Sequence, residues 1–124
     1  MRINSAGELI VYKEAYELAM EVFRNSRYWP NSEKYSLTDQ VRRSSRSVCA
    51  NLQEAWSKRR YEAHFISKLT DADGENAETK TWLDFAKDCE YLKQEDHTRL
   101  VEKSCEVGKM LGAMLRNPKP FLLK

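Results

Sequence analysis

The sequence predicts an all-α protein, an antiparallel up-down-up-down four-helix bundle. Three observations carry that expectation. Only four Gly and three Pro interrupt 124 residues, of which 41% are hydrophobic and 32% charged, a balance that suits helices and disfavours disorder and turn-rich sheets. Apolar residues recur at spacings of three, four and seven through four long stretches, the period of a helix with one face in a core. The breaks between stretches are short, so consecutive helices become antiparallel neighbours and four of them close into a bundle. At this length the chain is read as a single domain, 1–124, with one core.

The first helix, about 8–27, carries Tyr12, Ala15, Tyr16, Ala19, Val22 and Phe23, with Leu18, on one side. It stops at Trp29-Pro30-Asn31-Ser32, because Pro lacks an amide hydrogen and turns the residue before it away from the helical conformation. The second, about 37–58, takes Ser36 as N-cap, with Asp39 in the place of a capping-box Glu. Its apolar face is Leu37, Val41, Val48, Leu52 and Ala55. Beside that face runs a polar row at the same spacing, Gln40, Ser44, Ser47, Asn51 and Glu54. The third, about 61–91, has the core row Phe65, Leu69, Ala72, Asn76, Thr79, Leu83 and Ala86. Gly74 inside it costs roughly 1 kcal/mol against Ala, so a close approach or a slight bend is expected there. The fourth, about 95–116, carries Leu100, Val101, Ser104, Val107, Gly108, Leu111 and Leu115 and ends at Asn117-Pro118-Lys119-Pro120. Its Gly108-x-x-x-Gly112 pair suits close helix packing. Residues 1–7 and 118–124 read as tails, with Phe121-Leu122-Leu123 apolar enough to dock on a partner or on the bundle's end.

The sequence argues against most chemistry. The three cysteines, Cys49, Cys89 and Cys105, are odd in number, widely spaced and embedded in helical sequence, which indicates neither a disulfide framework nor a zinc site and suits a reducing cytoplasm. Glu62-Ala63-His64 and Glu95-Asp96-His97 place Glu and His two apart, on different sides of a helix, whereas a di-iron bundle needs Glu-x-x-His. No phosphate-binding loop, dinucleotide fingerprint or hydrolytic triad is visible, so no catalytic residue, metal, cofactor or small-molecule substrate is expected. The N-terminus has no apolar signal region and no run reaches membrane-spanning length, so a cytoplasmic location without a membrane partner is expected.

Charge is uneven along the chain. Residues 42–60 hold six cations against one acid, residues 71–96 nine acids against three cations, and residues 97–124 six cations against two acids. Such blocks can pair internally, pair between subunits, or present a basic rim to an anionic partner. Arg42, Arg43, Arg46, Lys58, Arg59 and Arg60 are the candidate phosphate contacts. Arg42 and Arg46 are placed one turn apart on the outward face of the second helix, and the last three complement its C-terminal dipole. Gln40, Asn51, Glu54, Glu75 and Glu78 form a candidate structural polar network that fixes helix register or a subunit interface. Arg43 is a candidate partner for a buried carboxylate in it. An acid–base cleft built on Glu54 or Glu78 is the weaker alternative.

The residues also carry a resemblance. Leu9-x-Val11-Tyr12-Lys13-x-Ala15-x-x-Leu18-Ala19, then Gln40-x-Arg42-Arg43-x-x-x-Ser47-Val48-x-x-Asn51-Leu52-x-Glu54-Ala55, resembles the bacterial 23S rRNA intervening-sequence proteins, also called the four-helix-bundle protein family. The likeness continues through Phe65-x-x-Lys68-Leu69-x-x-Ala72-x-x-Glu75-x-x-Glu78-Thr79 and Lys109-Met110-Leu111-x-x-Met114, over about residues 8–121. Many members read Ile-x-x-Asn-Ile-x-Glu-Gly where this chain has Val48, Leu52 and Ala55. The resemblance implies an antiparallel bundle assembling as a homopentamer, without enzymatic activity. It further implies RNA or DNA as a partner and, for members serving retroelements, a reverse transcriptase. The alternative is a protein-binding adaptor or structural oligomer that takes no nucleic acid.

Overall fold

The computed structural model describes residues 2–123, and their fold is an all-α four-helix bundle. Helix α1 spans Ile10–Ser26, α2 Leu37–Ser57, α3 Glu62–Asp88 and α4 Gln94–Arg116, with single 3₁₀ turns at Ala6–Glu8, Asn31–Glu33 and Lys119–Phe121. Each helix packs on the next in sequence, and α4 closes against α1. Every residue of the expected α3 core row, from Phe65 to Ala86, is buried.

The core is two apolar clusters stacked along the bundle. One joins the first half of α1, the second half of α2, the first half of α3 and the end of α4, through residues such as Val11, Leu52, Phe65 and Leu111. The other joins the opposite halves, through Val22, Val41, Leu83 and Leu100. Such an alternation of halves is what antiparallel neighbours produce. Between the clusters lies a polar layer. The Thr79 hydroxyl donates to the Ser44 hydroxyl at 2.8 Å, Asn76 Nδ2 donates to the Ser104 carbonyl at 2.9 Å, and the Ser104 hydroxyl donates back to Asn76 Oδ1 at 3.2 Å. All four residues are buried, and the side chain of each finds a hydrogen-bond partner, as the dry interior demands.

The helix ends differ from expectation in three places. Helix α1 starts two residues late, because Leu9 is extended and the chain before it forms a separate 3₁₀ turn. Ser36 makes no side-chain cap to α2. Instead Glu33 reaches forward: its carboxylate accepts the Ser36 hydroxyl at 2.6 Å, and its second oxygen accepts the Tyr91 hydroxyl at 2.9 Å. Those hydrogen bonds hold the Glu33 carboxyl below its ordinary range. Helix α3 ends at Asp88 and not at 91, because Glu90 turns left-handed with φ of 65°. The amides of Glu90 and Tyr91 then bond back to the carbonyls of Lys87 and Ala86, both at 2.9 Å, which is a Schellman close built without glycine. A left-handed L residue carries roughly 1–2 kcal/mol of strain. Glu90→Gly is therefore expected to raise stability by about 1 kcal/mol in a urea unfolding titration, and an unchanged midpoint would contradict that.

Neither expected glycine contact is general. A Cβ at Gly74 would meet nothing within 4 Å, so no helix approaches there. At Gly108 it would meet Asn76 Nδ2 at 3.4 Å, and at Gly112 only the mobile end of Arg116 at 3.3 Å. The C-terminal segment docks on the bundle's end: Phe121 stacks on Phe65 with ring centroids 6.3 Å apart, and the Leu123 amide donates to the Arg59 carbonyl at 3.3 Å. Cys49 is buried, and that burial pushes its thiol up to about 11, which suits a core hydrophobe.

Charges on the seams decide part of the pairing question. Arg99 of α4 reaches Glu21 of α1 at 3.0 Å, Lys103 reaches Glu17 at 2.9 Å, and Lys68 of α3 reaches Glu54 of α2 at 2.9 Å. His97 of α4 contacts Asp84 of α3 at 2.8 Å, and Lys80 contacts the same carboxylate at 2.9 Å. Cations of the C-terminal block are thus partly taken up inside the chain. Among the described residues no helix is long and apolar enough to cross a membrane.

Candidate nucleic-acid interface

The antiparallel pairing of α1 and α2 brings the C-terminal turns of α1 against the N-terminal turns of α2. Phe23 sits there half-buried, and three guanidiniums converge on its ring. Arg42 lies 5.0 Å from the ring centroid, Arg27 5.6 Å and Arg46 5.8 Å, all within cation–π reach. Arg42 Nε also donates to the Ser26 hydroxyl at 2.8 Å, which pins the side chain across the helix pair. Arg42 is thus folded over Phe23 and not free on the outward face of α2 as expected, whereas Arg46 is exposed. Among the described residues no carboxylate lies within 4.0 Å of Arg27, Arg42 or Arg46. Burial first, and then the positive charges of Arg46 and Arg27, hold the Arg42 guanidinium below its ordinary value. A bound anion would relieve that repulsion.

The other candidate cations divide. Arg43 pairs within α2, 3.8 Å from Asp39, and stays largely exposed. It partners no buried carboxylate. Arg59 stacks on Trp56, 3.8 Å from the ring centroid, and donates to the Trp56 carbonyl at 2.8 Å. Trp56 itself is buried, so its ring is held by core and arginine and offers no open face. Lys58 and Arg60 are exposed at the corner after α2, without an ion pair among the described residues. Arg46 and Lys58 are about 18 Å apart along α2 at the rise of a helix, so the basic residues make two separate patches.

The expected network of Gln40, Asn51, Glu54, Glu75 and Glu78 does not close within the chain, and no hydrogen bond joins any two of them. Gln40 and Glu54 are exposed, and the other three are half-buried. Asn51 Nδ2 donates to the Ser47 carbonyl at 2.9 Å, Glu78 accepts the Trp82 indole N–H at 3.2 Å, and Lys68 holds the Glu54 carboxyl below its ordinary range. All of the five but Glu54 line the open side of the α2–α3 seam, where two adjoining hollows of about 560 and 530 Å³ share Glu75 and Glu78, and Arg43 and Arg46 line the first of the two. Partial burial, then Glu78 and Asp71, push the Glu75 carboxyl up. The polar residues that do seal the interior are Ser44, Asn76, Thr79 and Ser104. Their small or amide side chains reach across the α2–α3 and α3–α4 seams without a formal charge, and longer side chains are pushed to the edge.

Catalytic geometry is sparse. Among the described residues no hydroxyl or thiol is hydrogen-bonded to a histidine, and no three His, Cys, Asp or Glu side chains gather as a cation site. A hollow of about 780 Å³ lies between the N-terminal segment and the end of α4 and is lined by apolar side chains such as Leu9, Ile10, Met110 and Phe121.

Two comparisons place the chain among known proteins. The family model for 23S rRNA-intervening sequence protein matches residues 7–113. A crystal structure of a protein of unknown function from the S23 ribosomal protein family of Bacteroides thetaiotaomicron superposes with a TM-score of 0.80 at 28% identity, covering 87% of this chain and 96% of that one. No curated protein sequence matches closely enough to count as a relative. With the model match running through all of α1, α2 and α3 and most of α4, the chain belongs to the 23S rRNA-intervening sequence protein family.

Proposed function

We propose that this protein is a non-catalytic, cytoplasmic bundle that binds nucleic acid, RNA foremost, through the basic α1–α2 flank, and that it self-associates as the family resemblance implies, as a pentamer. One observation supports the binding surface above the others: Arg27, Arg42 and Arg46 surround a single ring with no carboxylate among them, an arrangement that costs electrostatic energy in the free protein and gains it against phosphate. Lys58 and Arg60 extend the phosphate track. Filter binding of labelled RNA across a potassium chloride series tests the reading. Replacing Arg42 and Arg46 by Ala is expected to weaken binding to every sequence and to reduce the slope of log affinity against log salt by about 1.4 to 1.8, the share of two phosphate contacts. Unchanged affinity would rule out this flank.

A second reading, an adaptor or structural oligomer without nucleic acid, draws on the α2–α3 hollows. There Glu75 and Glu78 share a hollow with Arg43 and Arg46 but have no cation within 4.0 Å among the described residues, so a basic surface of a neighbouring subunit could meet them. In that case salt would change the mass seen in sedimentation and no RNA would co-purify.

A further inference from the structure

We infer that the nucleic acid taken by this flank is single-stranded, and that Tyr28 is the platform on which an unpaired base stacks. The inference rests on the nucleic-acid reading above and specifies its ligand. The guanidiniums around Phe23 do not end the array. Arg27 lies between two rings, 5.6 Å from the Phe23 centroid and 5.8 Å from that of Tyr28. The result is a continuous ladder of Tyr28, Arg27, Phe23 and the Arg42–Arg46 pair, running from the bundle's end onto the α1–α2 seam. Its inner rung, Phe23, is covered by three cations. Its outer rung is bare: Tyr28 is 84% exposed even with Arg27 against it, although it directly precedes Trp29, which is buried in the core.

An aromatic ring held against an arginine but left open to solvent offers a flat face and a nearby positive charge at once. Those are the two things a nucleotide of a single strand presents partners for, a base face and a phosphate. A duplex hides its base faces inside the stack and could use only the charges. The same α1–α2 connection carries a second such pair, Tyr35 at 86% exposure with Lys34 Nζ 5.4 Å from its ring centroid. Neither tyrosine contributes to either apolar cluster of the core, so the packing of the bundle gives no reason for their rings.

Fluorescence anisotropy with a labelled oligouridylate and with an RNA duplex of matched length, each titrated across a potassium chloride series, decides the matter. The oligouridylate is expected to bind at least about tenfold tighter than the duplex, the worth of a single stacked base. Tyr28→Ala should weaken oligouridylate binding about tenfold and leave both its salt slope and the duplex affinity unchanged, while Tyr28→Phe, which keeps the ring, should bind like the parent. The double Arg42→Ala, Arg46→Ala variant should weaken both probes. Equal affinity for the two probes, or an oligouridylate affinity indifferent to Tyr28→Ala while the arginine variant still loses binding, would overturn the stacking inference and leave the phosphate surface standing. Failure of the parent protein to bind either probe would overturn the nucleic-acid reading and this inference with it.

Discussion

Phe65→Ala is expected to remove about 3–5 kcal/mol of folding stability, the largest loss available from a single apolar truncation in this chain. Phe65 is the largest side chain that is fully buried, at 1% exposure, and it belongs to the cluster formed by the first half of α3. It enters that cluster from the first turns of α3, and its other side meets the ring of Phe121, which folds back over the end of the bundle. Truncation therefore costs the transfer of the ring, the cavity it leaves, and the seat of the C-terminal segment together. Small domains have total stabilities of about 5–15 kcal/mol, so the variant is expected to melt about 10–20 °C lower and to approach the limit of folding. Phe65→Leu keeps most of the volume and should lose less, which preserves a measurable transition if the alanine variant fails to fold. Phe121→Ala removes only the covering ring and should fall below both. Urea titrations of the three variants check the order, and a loss below about 1 kcal/mol for Phe65→Ala would contradict the packing described.

The fold class was legible because burial and periodicity coincide. The apolar row of α2, Leu37, Val41, Val48, Leu52 and Ala55, is buried throughout, and the seven-residue row predicted for α3 is the set of buried residues in that helix. What spacing could not decide is which members of the polar row of α2 face inward. Gln40, Ser44, Ser47, Asn51 and Glu54 share one spacing, yet Ser44 is buried and Glu54 lies in solvent against Lys68. The difference is side-chain length and charge at the point where α2 meets α3, a tertiary quantity with no periodic signal. Helix α3 ends where Glu90 turns left-handed, and nothing in a glutamate announces that conformation. At the candidate interface, Arg42 and Arg46 were visible as a basic pair, whereas Arg27 and Phe23 were not. Phe23 fits the apolar stripe of α1 and is absorbed into it, and Arg27 comes fifteen residues before Arg42 in the chain. The signal that finds both is the antiparallel pairing itself, since folding α1 back along α2 across the Trp29–Ser36 connection brings residue 23 near residues 42 and 46.

Asn76→Asp tests the polar layer most directly, because it changes one buried group by a single atom and a charge. Asn76 Nδ2 donates to the Ser104 carbonyl at 2.9 Å while Oδ1 accepts the Ser104 hydroxyl at 3.2 Å, in a residue only 5% exposed between the two apolar clusters. An ionised aspartate there would set an oxygen against the Ser104 carbonyl oxygen and leave a negative charge in the interior with no cation to meet it. Breaking a buried arrangement into an unpaired charge costs about 3–5 kcal/mol. The folded state then favours the protonated acid, whose O–H can donate to the carbonyl as the amide did, so the folded pKa of residue 76 rises above the unfolded value of about 3.9. The sign follows: the unfolded chain binds fewer protons at that site than the folded one between those two pKa values, and stability falls as pH rises through them. The loss relative to the parent is therefore expected to be full at neutral pH and to shrink as pH is lowered toward 4. Referring each point to the parent cancels the carboxylates held low in both proteins, Glu33, Glu54 and Asp84, whose stabilisation fades in acid. Asn76→Ala, which leaves Ser104 without its partner but adds no charge, should lose less than the aspartate variant at neutral pH and show no such dependence. Urea titrations at several pH values compare the three proteins, and a loss for Asn76→Asp that is independent of pH would mean that residue 76 is not sealed between α3 and α4.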